Sequence, residues 1–234
     1  VGARTAGMGL NRLIDREIDA KNPRTQNRPL QRGAMTVTRA RMLIFVSIGL
    51  LALAAWRLHP ACLLLFPVAA LLLYIYSYVK RFHWMTHFVL GMVLASAPIG
   101  GWVAVSGRLT PPALLLGMAV LFWVAGFDVI YACQDVSSDR ALGLHSLPAR
   151  FGVARALSVS TLLHFVSILS LLLLGLSTPL GPFFWIGWAV VALILLAEHR
   201  LISPRDLSRV NQAFFVMNGW VSAVFFAAVF ADSV

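Results

Sequence analysis

Pro111-Pro112-Ala113-Leu114-Leu115-Leu116-Gly117-Met118-Ala119-Val120-Leu121-Phe122-Trp123-Val124-Ala125-Gly126-Phe127-Asp128-Val129-Ile130-Tyr131-Ala132-Cys133-Gln134-Asp135-Val136-Ser137-Ser138-Asp139 decides the fold. From Pro111 to Phe127 there is no charged residue. A run of about 20 mainly apolar residues is what a helix needs to cross the hydrocarbon of a bilayer. Three aspartates then arrive together at the end of the run. Asp128, Asp135 and Asp139 are spaced seven and four apart, so on a continuing helix they fall on one stripe, with Tyr131 at its edge. The stretch therefore reads as a membrane span that delivers carboxylates to a membrane boundary, where an ionisable group is a functional-site candidate by default.

The rest of the chain repeats this character. Seven runs are long and apolar enough to span: roughly 42–57, 60–78, 87–106, 111–131, 155–176, 181–199 and 211–231. Residues 1–10 read as the end of an earlier span. The fold class is all-α, a multi-spanning transmembrane helical bundle. Pro67, Pro98, Gly100 and Gly101 lie inside runs, which neighbouring membrane helices can tolerate. Overall the 234 residues are 59% hydrophobic and 12% charged with a mean hydropathy of +0.82, far from the balance of a soluble domain.

Net charge is +10, but the basic residues are gathered in short segments between apolar runs, and no nucleic-acid module is present, so nucleic acid is excluded as a partner. Counting sides along the spans puts segments 11–41, 79–86, 132–154 and 200–210 on one face. That face carries 16 of the 19 Lys and Arg; Arg57 and Arg108 fall on the other, and Arg4 lies in the first stub. The positive-inside rule makes the rich face cytoplasmic. Cys62 and Cys133 form no CxxC pair, which argues against a disulfide framework or zinc site.

A second acidic cluster lies on the same face. Asn11, Asp15 and Asp19 are four apart, again one helical stripe. Two such stripes facing each other repel unless cations lie between them. Magnesium fits: it prefers oxygen ligands and is usually held by one or two carboxylates plus substrate phosphates. The nearby Arg and Lys would then contact the remaining phosphate oxygens. One cluster alone would be read as a solvated helix end with ordinary salt bridges; two with matched spacing argue for a site. The intervals Asp15–Asp135 and Asp19–Asp139 are both 120 residues, and each cluster is followed by a Pro- and Arg-containing stretch. One domain, 1–234, with two four-helix-like halves and acidic motifs at 11–19 and 128–139, is the organisation this suggests.

Asn11-x3-Asp15-x3-Asp19 and Asp128-x2-Tyr131-x3-Asp135-x3-Asp139 resemble the two signature motifs of the UbiA superfamily of membrane prenyltransferases. Asn22-Pro23-Arg24-Thr25 with Arg28-Pro29, Tyr78-Val79-Lys80-Arg81-Phe82 and Gly143-Leu144-His145-Ser146-Leu147-Pro148 extend the resemblance over nearly the whole chain. It is closest to the 4-hydroxybenzoate polyprenyltransferase branch, with a menaquinone-pathway flavour around Asp128–Ser146. The resemblance implies nine spanning helices around a lipid-open cavity, of which this chain supplies seven and part of an eighth; the family's first helix and the start of its second are expected to be missing. It implies that Asp15, Asp19, Asp135 and Asp139 hold two magnesium ions on a polyprenyl diphosphate, with Asn11 assisting. Lys80 and Arg81 match a basic pair near the diphosphate, and Arg24 and Arg28 are candidates for phosphate contact or loop structure. Asp128 and Tyr131 match positions near the reacting carbon. The implied reaction is prenyl transfer to an aromatic acid or phenol in quinone biosynthesis, in a bacterial inner membrane with the site facing the cytoplasm.

The rival readings are haem or chlorophyll side-chain prenylation, a transporter, or a scaffold for anionic lipid. A transporter places ionisable groups near mid-membrane, where these spans have almost none. Trp102, Trp123 and Phe127 are candidates for shielding a cavity, although aromatics in spans are more often packing. The six histidines lack ligand spacing. Cys133 reads as packing, Asn218 as a residue bridging helices, and Glu198 and Asp206 as surface partners of nearby arginines.

Overall fold

A computed structural model describes residues 1–234. The chain is helical throughout: α1 (Gly2–Ile14), α2 (Arg16–Lys21), α3 (Val37–Leu58), α4 (Pro60–Val79), α5 (Thr86–Ser106), α6 (Pro111–Ala132), α7 (Val136–Ala141), α8 (Leu147–Phe151), α9 (Val153–Ser177), α10 (Pro182–Leu201), and a π-helical turn (Gln212–Met217) running into α11 (Asn218–Ser233). Seven of these segments are long and apolar enough to cross a membrane, at the places the hydropathy marks. Boundaries move by a few residues. Arg39 and Arg41, read as loop, lie in the first turns of α3, whose N-terminus is capped by the Thr36 hydroxyl accepting from the Arg39 amide. α4 and α5 run through Pro67 and Pro98 without a break.

The outer surface is apolar: Phe45, Leu64, Phe165 and Phe226 are all largely exposed, as expected of side chains whose solvent is lipid. Enclosure is concentrated in α6 and α9, the most buried spans. Association in lipid depends on close packing and interhelical hydrogen bonds, and α6 shows both. The Ser160 and Ser167 hydroxyls of α9 donate to the carbonyls of Gly126 and Ala119, both at 2.8 Å. Each pair is seven residues apart on its own helix, which fixes an antiparallel register. On the other side, α5 approaches α6 through Gly91, where an added Cβ would land on the Leu121 backbone. Gly91→Ala should therefore force the helices apart and cost about 1–3 kcal/mol. A lower thermal midpoint in detergent is the expected reading; an unchanged midpoint would refute so close a contact.

Short connections close the side opposite the acidic residues. Gly107 ends α5 at φ 68°, a left-handed conformation, and any Cβ there would meet the His59 ring that caps α4. The other side has the long connections: the turn after α2, the α4–α5 corner, the segment holding α7 and α8, and residues 202–211. These bring the polar side chains together.

Candidate active site

The Asn11 amide donates to Asp15 at 2.9 Å, and the backbone continues helical hydrogen bonds from Asp15 to Asn11 and from Asp19 to Asp15. The first acidic row is thus a helical stripe, with a slight break at Asp15 between α1 and α2. The second row leaves α6 through a single 3-10 turn, Cys133–Asp135, before α7 carries Asp139. Asp19, Asp135 and Asp139 are buried and Asp15 is half-buried.

Every one of these carboxylates has a basic partner. Arg24 grips Asp135 with two bonds, Nε to Oδ1 at 3.0 Å and Nη2 to Oδ2 at 2.6 Å, and its Nη1 donates to the Tyr131 hydroxyl at 3.1 Å. Asn22 adds a donor to Asp135 Oδ1 at 3.3 Å. Arg28 reaches Asp19 at 2.5 Å, Lys80 reaches Asp139 at 2.8 Å, and Arg81 reaches Asp15 at 3.1 Å. Ser146 Oγ donates to the second Asp139 oxygen at 2.7 Å. Lys80 and Arg81 are consecutive, so one dipeptide at the end of α4 touches both acidic rows. The turn after α2 does the same through Arg24 and Arg28. The two motifs, 120 residues apart in sequence, therefore belong to one site.

Burial lifts the Asp15 carboxyl above its ordinary value, and Arg81 only partly offsets this. Burial alone would lower the Arg24 guanidinium, but the Asp135 carboxylate more than compensates and holds it above its usual value. No three His, Cys, Asp or Glu side chains converge into a preformed cage. The donors are all hard oxygens carried by carboxylates, and magnesium commonly takes only one or two of these, completing its shell with water and phosphate oxygens. The residues present fit that ion in company with a phosphorylated ligand.

Asp128 lies apart from the four paired aspartates. Its Oδ2 is 2.6 Å from His87 Nδ1, and His87 Nε2 accepts from the Leu147 amide at 3.3 Å. A backbone N–H can only donate, so Nε2 carries no proton. His87 is therefore the neutral tautomer with its proton on Nδ1, donated to Asp128. Its ring is 2% exposed. The sequence reading passed over His87, because its partner lies 41 residues away on another helix.

Aromatic rings continue the site inward. Tyr131 stacks on Phe214 at 4.1 Å between centroids, Phe214 meets Phe127 edge-on at 5.3 Å, and Phe127 meets Trp123 at 5.6 Å. Arg24 also lies over the Tyr131 ring at 5.0 Å. Of the three proposed cavity aromatics, Trp123 and Phe127 join this row, whereas the Trp102 indole nitrogen is buried with no partner. Cys133 is buried packing, as read. Glu198 requires a correction. It is not a surface partner of an arginine but fully buried in the last turn of α10, hydrogen-bonded to Asn218. Asp206 is exposed and accepts from the Ser208 amide.

Residues 1–222 match the UbiA prenyltransferase family. The chain is 34% identical to a protein of Aromatoleum aromaticum named 4-hydroxybenzoate octaprenyltransferase, over 99% of this chain and 78% of that one. A protein of the same name from Nitrosomonas europaea is 33% identical over 98% and 78%. The apo structure of a UbiA homolog from Aeropyrum pernix K1 superimposes with a TM-score of 0.92 at 33% identity, covering 100% of this chain and 86% of that one. A UbiA homolog from Archaeoglobus fulgidus bound to GPP and Mg2+ shares the fold at 20% identity, with a TM-score of 0.73 over 96% and 82%. With its paired acidic rows at one end of a lipid-facing helical bundle, the chain belongs to the UbiA family and is a membrane prenyltransferase.

Proposed function

We propose that this chain transfers a polyprenyl group from its diphosphate to an aromatic ring, with 4-hydroxybenzoate the favoured acceptor and a dihydroxynaphthoate the alternative, in quinone biosynthesis. The observation that carries the reading is the interleaving of four carboxylates with four bases across both motifs. A metal-bound diphosphate is the ligand that satisfies both sets at once. Asp15, Asp19, Asp135 and Asp139 would hold magnesium, with Asn11 orienting Asp15. Bound there, magnesium would neutralise charge on the diphosphate as the allylic C–O bond breaks.

The chain's own residues supply the rest. Lys80, Arg81, Arg24 and Arg28 bind phosphate oxygens and steady the pair of electrons that leaves with them. The Tyr131 ring flanks the allylic cation. The acceptor ring attacks it through the carbon beside its hydroxyl, and Asp128, oriented by the His87 donor, takes the displaced ring proton. Lipid-facing helices keep out the water that would otherwise capture the cation. The relatives' names favour 4-hydroxybenzoate, and the charge asymmetry favours a site on the cytoplasmic side of a bacterial inner membrane. The recurrence of an acidic motif at the end of α1 and again at the end of α6 supports one domain with two four-helix halves.

The test is to incubate the purified protein with magnesium, a radiolabelled prenyl diphosphate and either acceptor. Prenylated 4-hydroxybenzoate that disappears in EDTA is the expected result. Equal product in EDTA would contradict the metal role, and product with the naphthoate alone would reassign the acceptor.

A further inference from the structure

The last span begins irregularly. Gln212–Met217 is a full π-helical turn, and such turns concentrate at functional sites because they redirect side chains at the expense of regular hydrogen bonds. Here the turn presents Phe214 to the Tyr131 ring and Phe215 edge-on to the same ring at 6.1 Å. The turn's Ala213 and Phe214 carbonyls both face the Asn218 side chain. The buried Asn218 amide donates to both, at 3.2 and 3.0 Å.

The orientation of that amide is imposed from outside the helix. The Trp123 indole donates to Asn218 Oδ1 at 2.6 Å, and an indole N–H cannot accept. The amide nitrogen must therefore face the π-turn, where it also donates to Glu198 Oε1 at 3.4 Å. Trp123 lies on α6, two turns before Tyr131, so the same helix holds both ends of the arrangement.

We infer that Asn218 is a positioning residue for prenyl transfer: fixed by Trp123 and Glu198, it holds the π-turn that presses Phe214 against Tyr131. Through that stack it sets where the Tyr131 ring and hydroxyl lie relative to Arg24 and Asp135. The inference rests on the role given to Tyr131 above. It also gives one oxygen of the wholly buried Glu198 carboxylate its hydrogen-bond partner.

The experiment is a double-mutant cycle on the intact protein in detergent, using Asn218→Leu, Tyr131→Leu and the pair. Asn218→Leu is expected to lower kcat on the order of tenfold, leave KM for the prenyl diphosphate unchanged, and have little further effect in the Tyr131→Leu background, where there is no ring left to position. Trp123→Phe, which keeps an aromatic ring but lacks the indole N–H, should lower kcat in the same direction and couple to Tyr131→Leu in the same way. If Asn218→Leu fails to fold, the Trp123→Phe cycle decides alone. Effects of Asn218 or Trp123 that add independently to that of Tyr131→Leu would overturn this inference and leave the role of Tyr131 standing. Full activity in Tyr131→Leu would overturn both.

Discussion

Asp135→Asn is expected to abolish nearly all prenyl transfer, by about 10²–10³-fold in kcat, the loss typical of removing one preorganised electrostatic contact at a reacting centre. The substitution is nearly isosteric. The Asn oxygen can still accept from Arg24 and Asn22, which now hold Asp135 from two directions. What it removes is the charge. Arg24 is left without a counter-ion, but its side chain is 34% exposed and can reach water, so the fold should survive with a modest loss of thermal stability. The reverse variant behaves differently. Arg24→Ala leaves Asp135, only 8% exposed, as a buried and partly unpaired charge, and breaking such a pair from that side costs about 3–5 kcal/mol. Activity and stability therefore separate between the two partners of one ion pair. Radiolabelled product formation at saturating magnesium, measured beside thermal unfolding, reads both. An Asp135→Asn protein with the parent's kcat would remove the carboxylate from the metal site and with it the reading of the second motif.

Much of the fold was legible because lipid makes the code simple. A span in hydrocarbon needs length and apolar composition, and both can be read directly along 111–131 or 155–176. The acidic stripes were legible for a related reason: Asn11, Asp15 and Asp19 meet through the helical repeat itself, a local relation that sequence spacing contains. Pairings between helices are not local. Nothing in the sequence says that Lys80 takes Asp139 while Arg81, the next residue, takes Asp15. Likewise His87 stands in an unremarkable position at the start of a span, and only the packing of α5 on α6 places it beside Asp128. Glu198 misled for a physical reason. It sits near Arg200 at the end of a span, where a carboxylate would ordinarily be wet; the last turn of α10 instead packs inward against Asn218 and His164.

Asp128→Asn should lower kcat by about 10²–10⁴-fold, the range for losing a positioned general base, while leaving KM for the prenyl diphosphate close to that of the parent. The separation follows from geometry: Asp128 is bonded to His87, and none of the four bases assigned to the phosphates is its partner. His87→Ala should move kcat in the same direction by a smaller factor, because it removes the donor that orients Asp128 without removing the carboxylate. It also strands the buried Leu147 amide, whose partner is His87 Nε2, at a cost of about 1–3 kcal/mol in stability. His87→Gln, which restores a side-chain N–H donor, should recover part of the rate. Combining His87→Ala with Asp128→Asn is the decisive measurement. If the histidine works through the carboxylate, the double variant should be about as slow as Asp128→Asn alone. If His87 only supports the fold, its effect should persist in full in the Asp128→Asn background and track the thermal midpoint. That outcome would leave the neutral imidazole as a structural bridge between α5 and the Leu147 corner, with no part in removing the ring proton.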